Sequence, residues 1–232
     1  KEVKINPGAY KVYLSPNALY EIIEILGWGG FSFKSNKVGT SPLHLMTKSN
    51  KSLHESINIS ENLSSGIAPN FQADGFIKPE NTDLIVNGKY INSLVSPRSS
   101  LEYVVKHNAA ENHESPISLT IKPGSIGEDN ILSTLKDGIY INNLWYLNFS
   151  DRNNGKITGL TRFGCFKIKD GEYEGPINSM RFDETIYNIL GENLIGLTDT
   201  PHLLMDNSTY EQRSNYSAFL PGAVVDDFRM TL

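Results

Sequence analysis

The histidines are the residues of this sequence whose chemistry best suits catalysis or metal binding, and there are five of them: His44, His54, His107, His113 and His202. No pair has the spacing that puts two imidazole ligands on one face of a helix. The segment 107–113 holds two histidines and Glu111, so a metal site drawn from His107 and His113 needs that loop to fold back on itself. An exposed polar connection is the simpler interpretation.

Cys165 is the single cysteine and therefore the one thiol nucleophile that the chain offers. It enters a predicted strand, where a cysteine is more often a small core residue than a reactive one. One cysteine excludes intramolecular disulfides and cysteine-rich zinc sites, and it makes the cytoplasm the expected compartment. No Gly-x-Ser-x-Gly motif points to a serine nucleophile.

Two arginines are candidates for substrate binding, because Arg162 and Arg181 each precede a phenylalanine. A guanidinium held against an aromatic ring can clamp a carboxylate through two parallel hydrogen bonds, for example at the C-terminus of a peptide or on an acidic side chain. The alternative is an internal ion pair with Asp183 or Glu184. The sequence leaves both interpretations open.

The composition limits the kinds of partner that these residues serve. The chain has 232 residues, of which 39% are hydrophobic and 20% charged, and this is enough to bury a real core. Its net charge of -5 gives no broad positive field for phosphates, which argues against nucleic acid and against membrane surfaces as partners. No apolar run approaches the roughly 20 residues of a spanning helix.

The elements that must position the candidates begin with a strand over Tyr10–Leu14, which alternates as a half-buried strand does. Ser15 as N-cap and Pro16 at the first helical position predict a helix that ends at Gly27. Two hairpins are predicted by their turn dipeptides, Asn87-Gly88 and Asp170-Gly171. Further strands are predicted over 57–59, 75–77, 82–86, 89–95 and 118–121, and helical segments over 125–136 and 179–190.

This pattern predicts one domain over residues 1–232 with an α+β fold. Many short strands with little β-α alternation favour a mostly antiparallel or mixed β-sheet with two or three short helices. No repeat and no Pro/Gly/Ser-rich linker divides the chain.

The residues from Gly159 to Ile186, GLTRFGCFKIKDGEYEGPINSMRFDETI, closely resemble a run in the C-terminal domain of the TldD/PmbA family of zinc metalloprotease-related proteins. Three further segments resemble the family in the same order: 7–19, 26–35 and 220–231. The resemblance therefore spans nearly the whole chain, and 161–182 is its most specific part.

The resemblance implies the fold of that C-terminal domain and an N-terminal domain of the family that is absent from this chain. It also implies a dimer, in the best known case a heterodimer. There a TldD-type subunit carries zinc on His-Glu-x-x-x-His and a later cysteine, and a PmbA/TldE-type subunit carries none. Such a pair degrades unfolded peptides in an internal chamber. The older description of the family as modulators of DNA gyrase fits an acidic chain poorly.

The departure from the family motif determines the functional prediction. In the helix after Pro16, the motif positions hold Tyr20, Glu21 and Ile25, so both histidines are missing. Cys165 lies far from the position of the family's cysteine ligand. Because neither tyrosine nor isoleucine replaces an imidazole on Zn²⁺, we expect no metal and no catalytic residue in this chain, with zinc only in a TldD-type partner.

The sequence thus predicts a cytoplasmic, PmbA/TldE-like, non-catalytic subunit or domain of a peptidase complex. We expect it to form a homo- or heterodimer with a TldD/PmbA-type subunit and to bind and enclose unfolded peptide substrates, by strand addition to a sheet edge. Two alternatives stay open: an active metallopeptidase with a non-standard metal site, and a stand-alone peptide-binding or interaction protein.

Overall fold

The computed structural model of the chain describes residues 1–210 and 212–232. Its α-helices are α1 (Pro16–Gly27), α2 (Phe33–Val38), α3 (His44–Ser49), α4 (Pro97–Tyr103) and α5 (Ile131–Leu135). Shorter 3₁₀ turns cover Leu63–Ser65 and Glu128–Asn130, and a π-helical turn covers Asn188–Glu192. The predicted α+β class is confirmed, but the prediction of two or three helices was too low.

The described residues form fifteen strands, which fall into two sheets. The strands are β1 (Gly8–Leu14), β2 (Ile59–Asn62), β3 (Asn81–Val86), β4 (Lys89–Tyr90), β5 (Ser118–Ile121), β6 (Gly138–Ile141), β7 (Leu144–Asp151), β8 (Lys156–Thr161), β9 (Cys165–Lys169), β10 (Glu172–Pro176), β11 (Arg181–Thr185), β12 (Leu194–Leu197), β13 (His202–Met205), β14 (Ser217–Leu220) and β15 (Ala223–Met230).

Two compact units share these elements. Unit 1 comprises Lys1–Ile25, Pro123–Pro201 and Pro221–Leu232, and unit 2 comprises Leu26–Lys122 and His202–Leu220. Each unit holds one of the sheets, and the chain enters unit 2 twice.

The sheet of unit 1 has the order β10-β9-β6-β1-β15-β11-β8-β7, and β12 also pairs with β15. Its pairs are antiparallel except for β1 with β6. Residues 142–143 alone connect β6 to β7, although four strands separate these two in the sheet. In a flat sheet that separation is about 24 Å, and so short a connection spans only about 11 Å. The sheet is therefore strongly curled, and the ends of β6, β7, β8 and β9 lie near one another.

The hydrophobic core of unit 1 follows from strand alternation and from the stripe of α1. Leu19, Ile22 and Ile23 of that helix are fully buried, as their spacing predicts. Phe182 and Phe228 stack with ring centres 5.1 Å apart. A second cluster packs α5 against the sheet through Tyr13, Ile131, Leu135, Ile168 and Val224.

The sheet of unit 2 has the order β13-β14-β5-β2-β3-β4, and only β14 with β5 is parallel. The predicted Asn87-Gly88 turn joins β3 to β4, with φ of 49° and 71°. In unit 1, Asp170 and Gly171 join β9 to β10 with φ of 51° and 78°. Both hairpin predictions are confirmed, since these positive φ values define the turn that the dipeptides favour.

Several predicted boundaries were wrong. The segment 75–77 forms only an isolated bridge, Phe71 with Ile77, because Gly75 turns the chain there at φ 86°. The helix predicted from Ser125 begins at Glu128, because the Gly124 and Ile126 amides bond to the chain after β12 and to β12 itself. In the segment predicted as helical over 179–190, β11 occupies Arg181–Thr185, and only residues 186–190 are helical, at the start of the π-helical turn.

Candidate functional site

The best-formed candidate for peptide recognition in unit 1 is a group of exposed rings around one arginine, here called the Arg162 surface and made of Trp145, Arg162 and Phe163. The guanidinium carbon of Arg162 lies 5.5 Å from the ring centre of Trp145 and 5.2 Å from that of Phe163. The two rings meet edge to face with centres 6.2 Å apart. Trp145 is 46% exposed and Phe163 is 62% exposed. Such rings hold a cation in place and leave its N–H groups open to solvent.

Local backbone geometry produces this surface. Phe163 and Gly164 both have positive φ, 59° and 66°, so the chain turns sharply between β8 and β9. The Arg162 amide bonds to the Asn143 carbonyl at 3.2 Å, which fixes this turn beside the connection from β6 to β7. Trp145 follows directly in β7, and its neighbour Tyr146, at φ 57°, lies in a β-bulge. The bulge changes the direction of the exposed aromatic side chains at the sheet edge.

The side chain of Arg162 has no hydrogen-bonding or ionic partner within the described residues. Trp145 was missed by sequence reasoning. It lies 17 positions before Arg162, and the antiparallel pairing of β7 with β8, which sets Trp145 opposite Leu160, brings the two together. The only signal in the sequence was the tryptophan itself, beside Tyr146 in a segment for which no element was predicted.

Arg181, the second predicted binding residue, is engaged inside unit 1. Its guanidinium pairs with Asp183 at 3.0 Å and donates to the Thr158 hydroxyl at 3.1 Å. Burial raises the pKa of Asp183, but hydrogen bonds from Arg181 and Thr231 outweigh it and hold the pKa below its usual value. The structure thus gives Arg181 the internal ion pair with Asp183 that the sequence left open, and it does not bring Arg181 to the Arg162 surface.

Each sheet has two edge strands, and one edge strand in each carries exposed apolar side chains. In unit 1, β7 ends the strand order, and in unit 2, β13 does the same; no described strand pairs with their outer sides. The exposed Leu203 and Met205 lie on β13, and Trp145 and Tyr146 lie on β7. An uncovered edge with apolar side chains is a template for an added strand.

Cys165 is a core residue. It is 6% exposed, and burial raises the pKa of its thiol, so the thiolate is disfavoured. This agrees with the expectation of a structural cysteine.

The histidines of the 107–113 segment do not form a site. The His107 Nδ1 accepts a hydrogen bond from the Ala109 amide at 3.2 Å, and its ring meets that of Phe76 edge to face. His113 is exposed. Within residues 1–210 and 212–232, no three histidine, cysteine, aspartate or glutamate side chains are grouped closely enough to hold a metal ion.

Comparison with known families matches residues 7–232 to the PmbA/TldA metallopeptidase C-terminal domain. The chain belongs to the TldD/PmbA family. The resemblance carried by the run from Gly159 to Ile186 is thereby confirmed. The comparison with curated proteins gives no match.

Solved structures share the fold. The chain is similar to TldE from Thermococcus kodakarensis, with a TM-score of 0.82 and 14% identity over 100% of this chain and 52% of the other. It is similar to a protein from Thermotoga maritima described as a modulator of DNA gyrase, with a TM-score of 0.80 and 14% identity over 99% of this chain and 51% of the other. It is also similar to a protein of the same description from Bacteroides thetaiotaomicron, with a TM-score of 0.76 and 16% identity over 99% of this chain and 48% of the other. The chain spans about half the length of these structures.

The family's zinc motif is tested by the residues at its positions on α1. Tyr20 and Glu21 are partly exposed, whereas Ile25 is 3% exposed and packs in the core. An alkyl side chain has no lone pair for Zn²⁺, and one phenol with one carboxylate is not a zinc donor set. These residues do not fit the metal that the family name implies.

Among the described residues, no helix is long and apolar enough to cross a membrane.

Glu21, the glutamate at the predicted motif position, has altered acidity. Burial, and then the charge of Glu24 three residues on, raise its pKa from 4.5 to about 7.

Proposed function

We propose that this chain is a metal-free, PmbA/TldE-like part of a TldD/PmbA-type peptidase assembly and that it binds unfolded peptides. The observation that carries the proposal is the Arg162 surface, an exposed arginine held between two exposed aromatic rings. Arginine with tryptophan and other aromatics is the combination enriched at binding hot spots.

The surface suits an extended peptide because Trp145 belongs to β7, the edge strand of its sheet. A peptide that adds to this edge forms main-chain hydrogen bonds, which do not depend on its sequence. Arg162 then contributes a carboxylate preference, since its guanidinium has no partner within the described part of the chain. Such a combination accepts many unfolded substrates and favours acidic residues or a free C-terminus.

The poor zinc donor set at Tyr20, Glu21 and Ile25 supports a non-catalytic role. Hydrolysis would then belong to a TldD-type subunit that carries the complete motif, in a dimer located in the cytoplasm. In that assembly this chain encloses and holds the substrate, and its partner supplies the metal-activated water.

The binding test measures fluorescence anisotropy of a labelled unstructured peptide with one glutamate, and of the same peptide with glutamine instead. We expect Arg162→Ala to weaken binding of the glutamate peptide about tenfold, the loss of one charge-assisted contact of about 1.4 kcal/mol. Arg98→Ala, at an exposed arginine of α4, removes the same charge and should leave binding unchanged. Equal binding by wild type and Arg162→Ala would overturn the assignment of this surface.

The metal-free role is tested by zinc analysis of protein purified without a metal-affinity tag, together with cleavage assays on an unfolded polypeptide. We expect neither stoichiometric zinc nor cleavage by the isolated protein, and cleavage when a TldD-type subunit with His-Glu-x-x-x-His is added. Stoichiometric zinc with chelator-sensitive cleavage by the isolated protein would refute the proposal.

A further inference from the structure

Lys78 is an unusual lysine, because it is only 7% exposed. It lies in unit 2 at the end of a small turn whose arms meet at the bridge between Phe71 and Ile77. Its amide donates to the Asn70 carbonyl at 2.8 Å, which fixes the backbone of the lysine in this position. Lysine is almost never so deeply buried unless its charge is paired.

The ammonium group of Lys78 has no hydrogen bond and no ion pair within the described part of the chain. The Lys78 charge acts on Glu61, a 4% exposed carboxylate on β2. Burial raises the pKa of Glu61, and Lys78, which forms no ion pair with it, offsets only part of that rise. The Glu61 carboxylate accepts hydrogen bonds from the Ile117 amide at 3.1 Å and the Ser118 amide at 3.4 Å. The Lys78 side chain is largely buried, but its ammonium is not among the fully buried polar groups without a partner, so the charge remains accessible to a small ligand.

The side chain of Lys78 lines a cavity of about 320 Å³ together with Leu63, Ser64, Ala68, Asn70 and Glu80. This volume is at the lower end of the range for small-ligand sites. Lys78 and Glu80 both line the cavity and bring opposite charges to it. The rest of the lining combines two apolar side chains with a hydroxyl and an amide.

We propose that this cavity is a binding site for a small zwitterion with a free carboxylate and an ammonium group, of the size of an amino acid or a dipeptide. The ligand's carboxylate would pair with the Lys78 ammonium, and its ammonium with the Glu80 carboxylate. Leu63 and Ala68 would contact a small side chain. A free phosphate fits less well, because Glu80 and Glu61 repel a dianion beside the single cation.

The site goes beyond the proposed function, because it lies in unit 2 and uses none of the residues of the Arg162 surface. Arg162→Ala should therefore bind the small ligand as wild type does. Failure of the Arg162 experiment and failure of this one are independent outcomes.

The test is calorimetric titration of the purified protein with alanyl-alanine, its C-terminal amide, its N-acetyl form and inorganic phosphate. We expect the free dipeptide to bind. Its C-terminal amide should bind at least about tenfold more weakly, because it loses one charge-assisted hydrogen bond to Lys78. The N-acetyl form should lose affinity for wild type but not for Glu80→Gln. No binding of the dipeptide, or tighter binding of phosphate, would overturn the proposal.

The variant Lys78→Met retains a long apolar side chain and removes the charge, and Lys89→Met at an exposed lysine of β4 is the matched control. We expect Lys78→Met to abolish dipeptide binding and to unfold at about the same temperature as wild type, because the Lys78 ammonium has no hydrogen bond or ion pair to lose within the described residues. Strong destabilisation would instead make Lys78 the counter-ion of Glu61, and intact binding would exclude it from the site. The ligand series with wild type and Glu80→Gln decides the matter even if Lys78→Met does not fold.

Discussion

Glu114 and Ser32 form a buried hydrogen bond across 82 positions of sequence: the Ser32 hydroxyl donates to Glu114 Oε2 at 2.7 Å. Ser32 is the N-cap of α2, and Oε2 also accepts from the Lys34 amide at 2.9 Å. Oε1 accepts from the amide and the hydroxyl of Ser96, the N-cap of α4. One carboxylate, 1% exposed, thus joins the first turns of two helices.

Replacement of Glu114 should therefore destabilise unit 2. Burial raises the pKa of this carboxyl, but the hydrogen bonds from Ser96, Ser99, Lys34 and Ser32 outweigh it and hold the pKa below 4.5. We expect Glu114→Gln to lower the free energy of unfolding by about 2 to 4 kcal/mol at pH 7. The glutamine side chain would place its own N–H donors against the N–H and O–H groups that now donate to the carboxylate. Urea denaturation followed by circular dichroism measures this.

The sign of the pH dependence follows from the lowered pKa. The contribution of Glu114 is fully present above about pH 4.5, the value in the unfolded chain, and is lost as the pH falls through the folded value. The difference between wild type and Glu114→Gln should shrink in acid. Glu111→Gln, at an exposed glutamate of the same loop, should change little. A stable Glu114→Gln at pH 7 would contradict this role.

Glu21 should give the opposite pH dependence. Its pKa is raised from 4.5 to about 7, so between these values the folded state keeps a proton that the unfolded state has lost. Stability therefore falls as pH rises through this window. We expect Glu21→Gln to gain about 1 to 2 kcal/mol over wild type at pH 8 and little at pH 4, after allowance for its partial exposure.

Urea denaturation at pH 4, 6 and 8 measures the Glu21 effect as a difference between variants, which removes the contributions of other carboxylates. Glu24→Gln should reduce the effect, since the Glu24 charge is part of its cause. Exposed Glu55 supplies the control, Glu55→Gln. A difference that does not vary with pH would mean that Glu21 titrates normally.

Local rules were sufficient to predict the elements around these residues where the signal is contained in a few positions. Ser15 and Pro16 start α1, and Ser15 Oγ accepts from the Ala18 amide at 3.3 Å, as a cap does. Asn87-Gly88 and Asp170-Gly171 turn as their φ preferences require. In each case the residues that decide the conformation are neighbours in sequence.

The sequence did not predict features that depend on distant contacts. Helices α2 and α4 are short, and Glu114 stabilises both from a different loop, so neither has a long periodic pattern. Arg162 was identified as a candidate from its neighbour Phe163, but Trp145 meets it only through the pairing of β7 with β8, a register that the sequence analysis did not predict. Lys78 gave no signal, because burial of one lysine is not visible in the composition of an apparently polar loop.

The two confirmed hairpin turns should respond differently to the same substitution. A Cβ on Gly88 would lie 2.3 Å from the Leu53 carbonyl oxygen, whereas a Cβ on Gly171 would have no atom closer than 3.7 Å. Both have positive φ, so Gly171→Ala should cost about 1 kcal/mol for the backbone alone. Gly88→Ala should cost more, at least about 2 kcal/mol, because backbone atoms must move as well. Thermal unfolding compares the two, and equal losses would contradict the clash.

Restoration of the family's two histidines should not restore a zinc site. Tyr20→His alone lies at a partly exposed position and should be tolerated, but Ile25 is 3% exposed, and Ile25→His should cost about 2 to 4 kcal/mol because it buries a polar ring in the core. The double variant also lacks the cysteine ligand that the family resemblance implies, because the single cysteine, Cys165, is a core residue at the start of β9. Zinc analysis after dialysis should find well below one ion per chain in both variants. One tightly bound zinc per double variant would show that α1 retains a nearly complete metal site, and it would return this chain to the catalytic members of the family.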